Sequence, residues 1–86
     1  MHYMYVLQAL DDREVFYLGF SSNLKSRVEA HNAAKNASTA RHRWRVVYYE
    51  AYVNEGAARR REAILKRSSS MRSTLMRRVR SSLQSD

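Results

Sequence analysis

Cysteine and proline are both absent from this 86-residue chain, and glycine occurs only twice. Without cysteine there is no disulfide framework and no thiolate zinc site, which fits a reducing compartment. No run of residues approaches the ~20 apolar positions of a membrane-spanning helix. The N-terminus opens on a strand-like pattern and lacks the charged-then-apolar order of a signal segment. The cytoplasm is therefore the expected compartment, and no membrane partner is expected. Neither an internal repeat nor a linker divides the sequence. One domain over residues 1–86 is expected, near the lower end of what folds alone.

Acidic residues are also scarce. Eight Asp and Glu stand against sixteen Lys and Arg, for a net charge of +8, and thirteen of the sixteen are arginines. Residues 1–40 balance four basic groups against four acidic ones, whereas residues 41–80 carry twelve basic groups against three acidic. Arginine's planar fork suits phosphate better than the point charge of lysine. A polyanionic partner, nucleic acid above all, is the expectation; a merely soluble basic surface is the plainer alternative.

With 44% hydrophobic residues the chain can fill a single thin core. Residues 2–10 are rich in Tyr, Met, Val and Leu and read as a strand, as do residues 15–20 after the polar break Asp11-Asp12-Arg13. The short connection predicts an antiparallel hairpin. Tyr3, Tyr5 and Leu7 would share one face, and Val15, Tyr17 and Gly19 one face of the second strand. Ser21-Ser22-Asn23 offers N-caps for a helix over 24–32, with Leu24 and Val28 inward and Arg27 and His31 together on a second face. Residues 33–43 read as a loop with a frayed helix at its start. A third strand follows over 44–53, then a helix capped by Asn54 over about 55–66, with Ala57, Ala58, Ile64 and Leu65 inward. Ser68-Ser69-Ser70 would cap a basic last helix at about 70–83, with Met71, Leu75, Val79 and Leu83 on its apolar stripe. The order β-β-α-β-α-α predicts an α/β (α+β) layer fold with a small, mainly antiparallel three-stranded sheet flanked by helices.

Polar residues stand at fixed offsets from the second strand. Arg27 lies eight residues after Gly19 and His31 four further on; Tyr5 lies twelve before Tyr17, and Glu62 sits in the helix after the third strand. Two tyrosines, an arginine, a histidine and a carboxylate are the parts needed to cut a phosphodiester with one divalent metal ion. Each also has an ordinary use: hairpin tyrosines pack with a hydroxyl at the rim, and Glu62 with Lys66 makes an i, i+4 helix pair. Gly19 either lets something approach the backbone closely or simply ends a strand. Trp44 reads as core or hinge before base stacking. Tyr48, Tyr49 and Tyr52 read as sheet residues.

The residues Tyr5-Val6-Leu7, Tyr17-Leu18-Gly19, Arg27, His31-Asn32 and Arg60-Arg61-Glu62-Ala63-Ile64-Leu65-Lys66, in this order, resemble the GIY-YIG endonuclease family. Val47-Tyr48-Tyr49-Glu50 also looks similar. The likeness spans about residues 3–80 and is strongest to the small stand-alone bacterial members. The first motif lacks its glycine, with Tyr3 or Met4 in that region, and the loop before the third strand lacks glycines. A further polar ligand near the last helix, found in some members, has no match.

The resemblance implies a metal-dependent endonuclease acting on DNA, structure-selective or weakly specific, in repair or recombination. It implies one Mg²⁺ or Mn²⁺ ion on Glu62, phosphate contact by Arg27, and a proton relay among Tyr5, Tyr17 and His31. It favours Tyr5 as the base, although the residues alone do not separate them. A phenol would need a lowered pKa for that role, which Arg27 and a metal ion could supply. Lys66, Arg59, Arg72 and Arg77 are the candidate nucleic-acid contacts. RNA stays open as a substrate, and a homodimer or a recruiting protein is a further expected partner. The alternative is a non-catalytic nucleic-acid-binding module of the same fold.

Overall fold

A computed structural model describes residues 1–34 and 39–84. The elements are β1 (His2–Ala9), β2 (Phe16–Ser21), α1 (Leu24–Asn32), β3 (Trp44–Tyr52), α2 (Glu55–Arg67) and α3 (Ser69–Leu83). The expected order and fold class hold, with boundaries displaced by a residue or two. Residues 35–38 of the expected 33–43 loop lie outside the described residues.

The strands form an open antiparallel sheet in the order β2-β1-β3. As the middle strand, β1 is covered on both faces, and Met4 through Ala9 are all buried. This explains why its sequence reads as a nearly continuous apolar run and not as a clean alternation. Met4 and Val6 meet Leu65 of α2 and Leu75 and Val79 of α3 on one face. Tyr5, Leu7 and Ala9 meet Trp44, with Val15, Tyr17, Leu24 and Val28 packed around them, on the other. The sheet thus has α1 on one side and the α2–α3 pair on the other.

The register settles what the sequence left open. Tyr5 stands opposite Gly19 on β2 and Leu7 opposite Tyr17. On the other side Tyr5 stands opposite Tyr49, and an irregularity between Val6 and Leu7 skips Val47 of β3. That extra residue lets both Val47 and Tyr48 pack on the α2–α3 side.

Each helix starts on a cap from the stretch read for it in the sequence, and the structure selects Asn23 from Ser21-Ser22-Asn23 and Ser68 from Ser68-Ser69-Ser70. Asn23 accepts from Ser26 N, Asn54 from Ala57 N, and Ser68 from Met71 N. Within α3 one inward assignment changes: Met71 is 42% exposed, and Met76 packs against the core in its place. Met71 lies in the first turn, and the inward residues Leu75, Met76, Val79 and Leu83 share one face of the helix. Trp44 is a core residue, 4% exposed, whose indole donates to the carbonyl of Thr39 at 2.9 Å.

Two polar clusters tie the layers. Glu50 accepts from Arg61 Nε at 2.9 Å, Tyr48 at 2.8 Å and Tyr52 at 2.6 Å. Burial pushes the Glu50 carboxyl up, but these three donors outweigh it and hold the group below its usual range. Burial first, and then the Glu50 charge, pushes the Tyr52 phenol up to about 12. The Asn32 side chain pairs with the backbone of Trp44, accepting from its N–H at 2.7 Å and donating to its carbonyl at 3.0 Å. That pairing fastens the end of α1 to the start of β3.

α1 stops at a residue that is poorly suited to the task. Ala34 has φ 59°, and its N–H reaches the His31 carbonyl at 3.1 Å, the geometry of a left-handed C′ position that favours glycine. The scarcity of glycine in this loop therefore has a local cost. Ala34→Gly is expected to stabilise the protein by about 1 kcal/mol, seen as a melting temperature higher by roughly 4–8 °C. An unchanged or lower melting temperature would contradict the strain.

Candidate active site

The site is built around the ring of Tyr5. Its Cα partner on β2 is Gly19, and the phenol lies across that glycine: a Cβ at Gly19 would overlap Tyr5 Cζ and Oη. This is the close approach that Gly19 permits, and the group that approaches is a side chain of the neighbouring strand. Beyond the glycine the Tyr5 hydroxyl meets His31 Nε2 at 2.8 Å. The other ring nitrogen of His31, Nδ1, meets Thr39 Oγ1 at 2.8 Å. Tyr5 and His31 are each 1% exposed, and Thr39 is fully buried. A neutral imidazole carries one proton, so it donates one of these two bonds and accepts the other.

Tyr17 closes the group. Its ring stands 5.0 Å from that of His31 and 6.2 Å from that of Trp44. α2 runs along β2 in the opposite sense, with Arg59 over the Phe20 ring at 4.4 Å and Lys66 over the Tyr17 ring at 5.7 Å. Glu62 lies between them on the same helix and pairs with Lys66 at 3.2 Å through Oε2. Its side chain is 23% exposed. Arg27 is exposed on α1.

Electrostatics connect these groups. Burial raises the Tyr5 phenol well above its ordinary value; Tyr17 and Glu62 push it the same way, and the Arg27 charge opposes them. The cation expected to lower the phenol is therefore within reach, but burial outweighs it. His31 is held below the ordinary histidine range, first by burial and then by Arg27. Its neutral form, which can accept a proton, prevails at neutral pH.

Tyr5, His31 and Tyr17 are thus in direct contact, Glu62 reaches them through Lys66 over the Tyr17 ring, and Arg27 acts on Tyr5 and His31 through its charge. The candidate nucleic-acid contacts are more dispersed. Lys66 and Arg59 flank Glu62, with Arg59 also paired to Glu55 at 3.1 Å. Arg72 folds back to donate to the carbonyls of Leu65 and Lys66, at 3.0 and 3.2 Å, capping the end of α2. Arg77 is exposed on α3. Neither Thr39 nor Glu50 has a role assigned from the sequence, although Glu50 ends the segment Val47-Tyr48-Tyr49-Glu50 that resembles the family. Thr39 carries no local signal, because only folding brings it to His31. Glu50 did carry one: it is flanked by Tyr48 and Tyr52 two residues either side, on one face of a strand.

Among the described residues, no three His, Cys, Asp or Glu side chains gather to hold a metal ion, and none of the helices is long and apolar enough to cross a membrane. A single half-buried carboxylate such as Glu62 fits a cation that keeps several of its waters.

The family model of the GIY-YIG catalytic domain matches residues 1–75. Among curated proteins, the chain is 40% identical over 67 residues to UPF0213 proteins of Streptococcus pyogenes serotypes M3, M1 and M28, covering 76% of this chain and 71% of each relative. No solved structure matches. The chain belongs to the GIY-YIG family. Membership supports a nuclease-type function with a nucleic acid substrate, and nucleases of this family generally use divalent metal ions.

The packing of Tyr5 over Gly19 is directly testable. Gly19→Ala is expected to cost about 1–3 kcal/mol through overpacking and to lower any cleavage rate by roughly a hundredfold by displacing the phenol. Thermal denaturation and a cleavage assay on the same preparation measure both. Wild-type behaviour in both would show that Tyr5 is not held by this contact.

Proposed function

We propose that this protein is a divalent-metal-dependent endonuclease that hydrolyses phosphodiester bonds in DNA, with Tyr5, Tyr17, Arg27, His31 and Glu62 at one site. The observation that carries the reading is the buried Tyr5–His31 hydrogen bond at 2.8 Å, with the ring of Tyr17 5.0 Å from that of His31. A tyrosine buried for packing needs one hydrogen-bond partner; here that partner is a histidine, itself bound to Thr39 and flanked by a second tyrosine ring. Tyr5 also packs with Leu7, Ala9 and Trp44, so the same ring serves the core and the proposed general-base relay.

Glu62 would hold one Mg²⁺ or Mn²⁺ ion, whose charge would polarise the scissile phosphate and steady the leaving oxygen. Arg27, exposed at the rim, binds a non-bridging phosphate oxygen and offsets the charge that grows on it. Tyr17 is half-buried beneath Lys66, and it positions the attacking water. Tyr5 donates its hydrogen bond to the neutral His31 Nε2, and His31 Nδ1–H donates to Thr39. In that tautomer the Tyr5 oxygen takes the proton of the water as its own proton passes to His31. A relay of this kind needs no free phenolate, which the raised pKa of Tyr5 disfavours.

The net charge of +8, with Arg59 and Lys66 on either side of Glu62, supports contact through the nucleic acid backbone. Nothing on this surface resembles a dedicated base-edge reader, so the proposed activity is structure-selective or weakly specific, in a repair or recombination setting. The compartment proposed is the cytoplasm. The second reading is a binding module without catalysis; it has no use for Glu62 beside the tyrosines.

Labelled duplex, single-stranded, flap and four-way-junction DNAs, incubated with Mg²⁺ or Mn²⁺, test the assignment. Cleavage is expected with the wild type and should fall by at least about a hundredfold in Glu62→Ala and Arg27→Ala. Cutting that survives Glu62→Ala would remove the site assignment. Salt-sensitive binding with no cutting would favour the binding module.

The pH profile is a separate check. His31 must be neutral to accept the proton, and its pKa is depressed. The rate kcat/KM should therefore fall as pH drops through an inflection below the ordinary histidine value of about 6.5. By the same shift, stability is present above the unfolded pKa and is lost as pH falls through the folded one. An acid limb centred above that ordinary value would exclude neutral His31 as the acceptor.

A further inference from the structure

The side of the sheet that carries α1 is only partly covered. α1 has nine residues, about 13 Å of helix, and it packs through Leu24 and Val28 onto the cluster of Tyr5, Leu7 and Trp44. Two tyrosines on the same face lie outside that cluster. Tyr3 precedes Tyr5 by two positions on β1, so its side chain points to the same side. Tyr49 is the direct partner of Tyr5 on β3. The rings of Tyr3 and Tyr49 meet edge to face, 5.7 Å between centroids at 72°. Tyr49 is 56% exposed, and Ala51, the β3 partner of Tyr3, is small and exposed.

An exposed tyrosine alone is ordinary. Here a pair of rings continues the row that runs from Gly19 through Tyr5 to Tyr49. The pair therefore shares the sheet face of Tyr5, on its β3 side, whereas the Tyr5 phenol crosses toward β2. An edge-to-face pair leaves a ring face open. Open antiparallel sheets with exposed aromatic rings are one recurrent way of holding unpaired bases, because every base has a face to stack. The net charge of +8 and the exposed Arg27 on the adjoining helix supply the attraction for phosphate that stacking needs beside it.

From this placement we infer that Tyr3 and Tyr49 form a stacking platform for an unpaired nucleobase on the sheet face that carries Tyr5, so that the substrate class is nucleic acid with single-stranded character where it crosses that face. The inference rests on the nucleic-acid reading above and specifies its substrate. Duplex DNA would still be held through its backbone, but it offers no free base face to the platform.

The test is a fluorescence titration of the full chain in EDTA with a single-stranded oligonucleotide carrying 2-aminopurine, and with the same sequence as a perfect duplex. Binding should quench the single-stranded probe. Tyr49→Ala should weaken single-strand binding by about tenfold, the loss expected for one stacked base. Tyr49→Phe should retain it, and duplex affinity should change less than about twofold. Tyr49 is exposed, so the variants are expected to fold, and thermal denaturation checks this. Equal loss on both probes, or no loss on either, overturns the platform. So does a change in sedimentation on Tyr49→Ala with oligonucleotide affinity unchanged, which would make this face a contact between copies of the chain. Selective stacking in EDTA without cleavage in Mg²⁺ would sink the catalytic reading and leave the platform standing. Cleavage with unaltered single-strand affinity in Tyr49→Ala would do the reverse.

Discussion

The ring of Tyr5, laid across Gly19 and held by His31, is the constraint on which the rest of the site depends. β1 is the central strand, so a tyrosine at this position has no route to solvent along its own face; it must cross to the neighbouring strand. Gly19 supplies the space for that crossing, and the antiparallel register places the glycine directly opposite. The hydroxyl arrives at His31, which is itself fixed by Thr39 from the loop before β3. The hairpin, α1 and that loop are joined through one line of polar contacts inside an otherwise apolar layer. Buried polar groups of this kind are tolerated only when satisfied, so the chain has little freedom to rearrange them without exposing or orphaning one.

The two faces of the sheet carry different tasks. The α2–α3 side holds the larger apolar cluster, and its polar ties, Glu50 with Arg61, Tyr48 and Tyr52, fix α2 against β3. Because α2 also carries Glu62, those ties set where the carboxylate stands relative to the tyrosines. The α1 side holds a smaller cluster and leaves part of the sheet open. A short helix over a strand of similar residue count leaves this gap, since a strand advances about twice as far per residue as a helix. The gap lies beside the tyrosine row.

The basic second half is less uniform than its count suggests. Arg61 is bound by Glu50, Arg72 caps α2, and Arg80 reaches Glu14 at 3.0 Å while lying over the Phe16 ring. These arginines stabilise the fold as much as they present charge. Arg59 and Lys66 differ in lying over the rings of β2, on the flank of the candidate site, and Arg27 and Arg77 stand exposed on their helices. Net charge therefore predicts the partner's sign but not which cations face it. That choice follows from which arginines find carboxylates or carbonyls at home.

By itself the sequence determined the element order and the stretches that cap each helix, and it offered five polar residues as one candidate site. All of these are local or ordered along the chain: periodicity, hydroxyl and amide caps, and motif spacing. It did not determine the hairpin register, the direction in which burial moves the Tyr5 phenol, or the part played by Thr39. Neither did it separate the arginines spent on internal contacts from those left at the surface. Those depend on contacts between residues far apart in the chain. Only the packed sheet puts Gly19 under Tyr5, and burial, which no window of sequence reports, is the largest of the causes that push the Tyr5 phenol up and the His31 imidazole down.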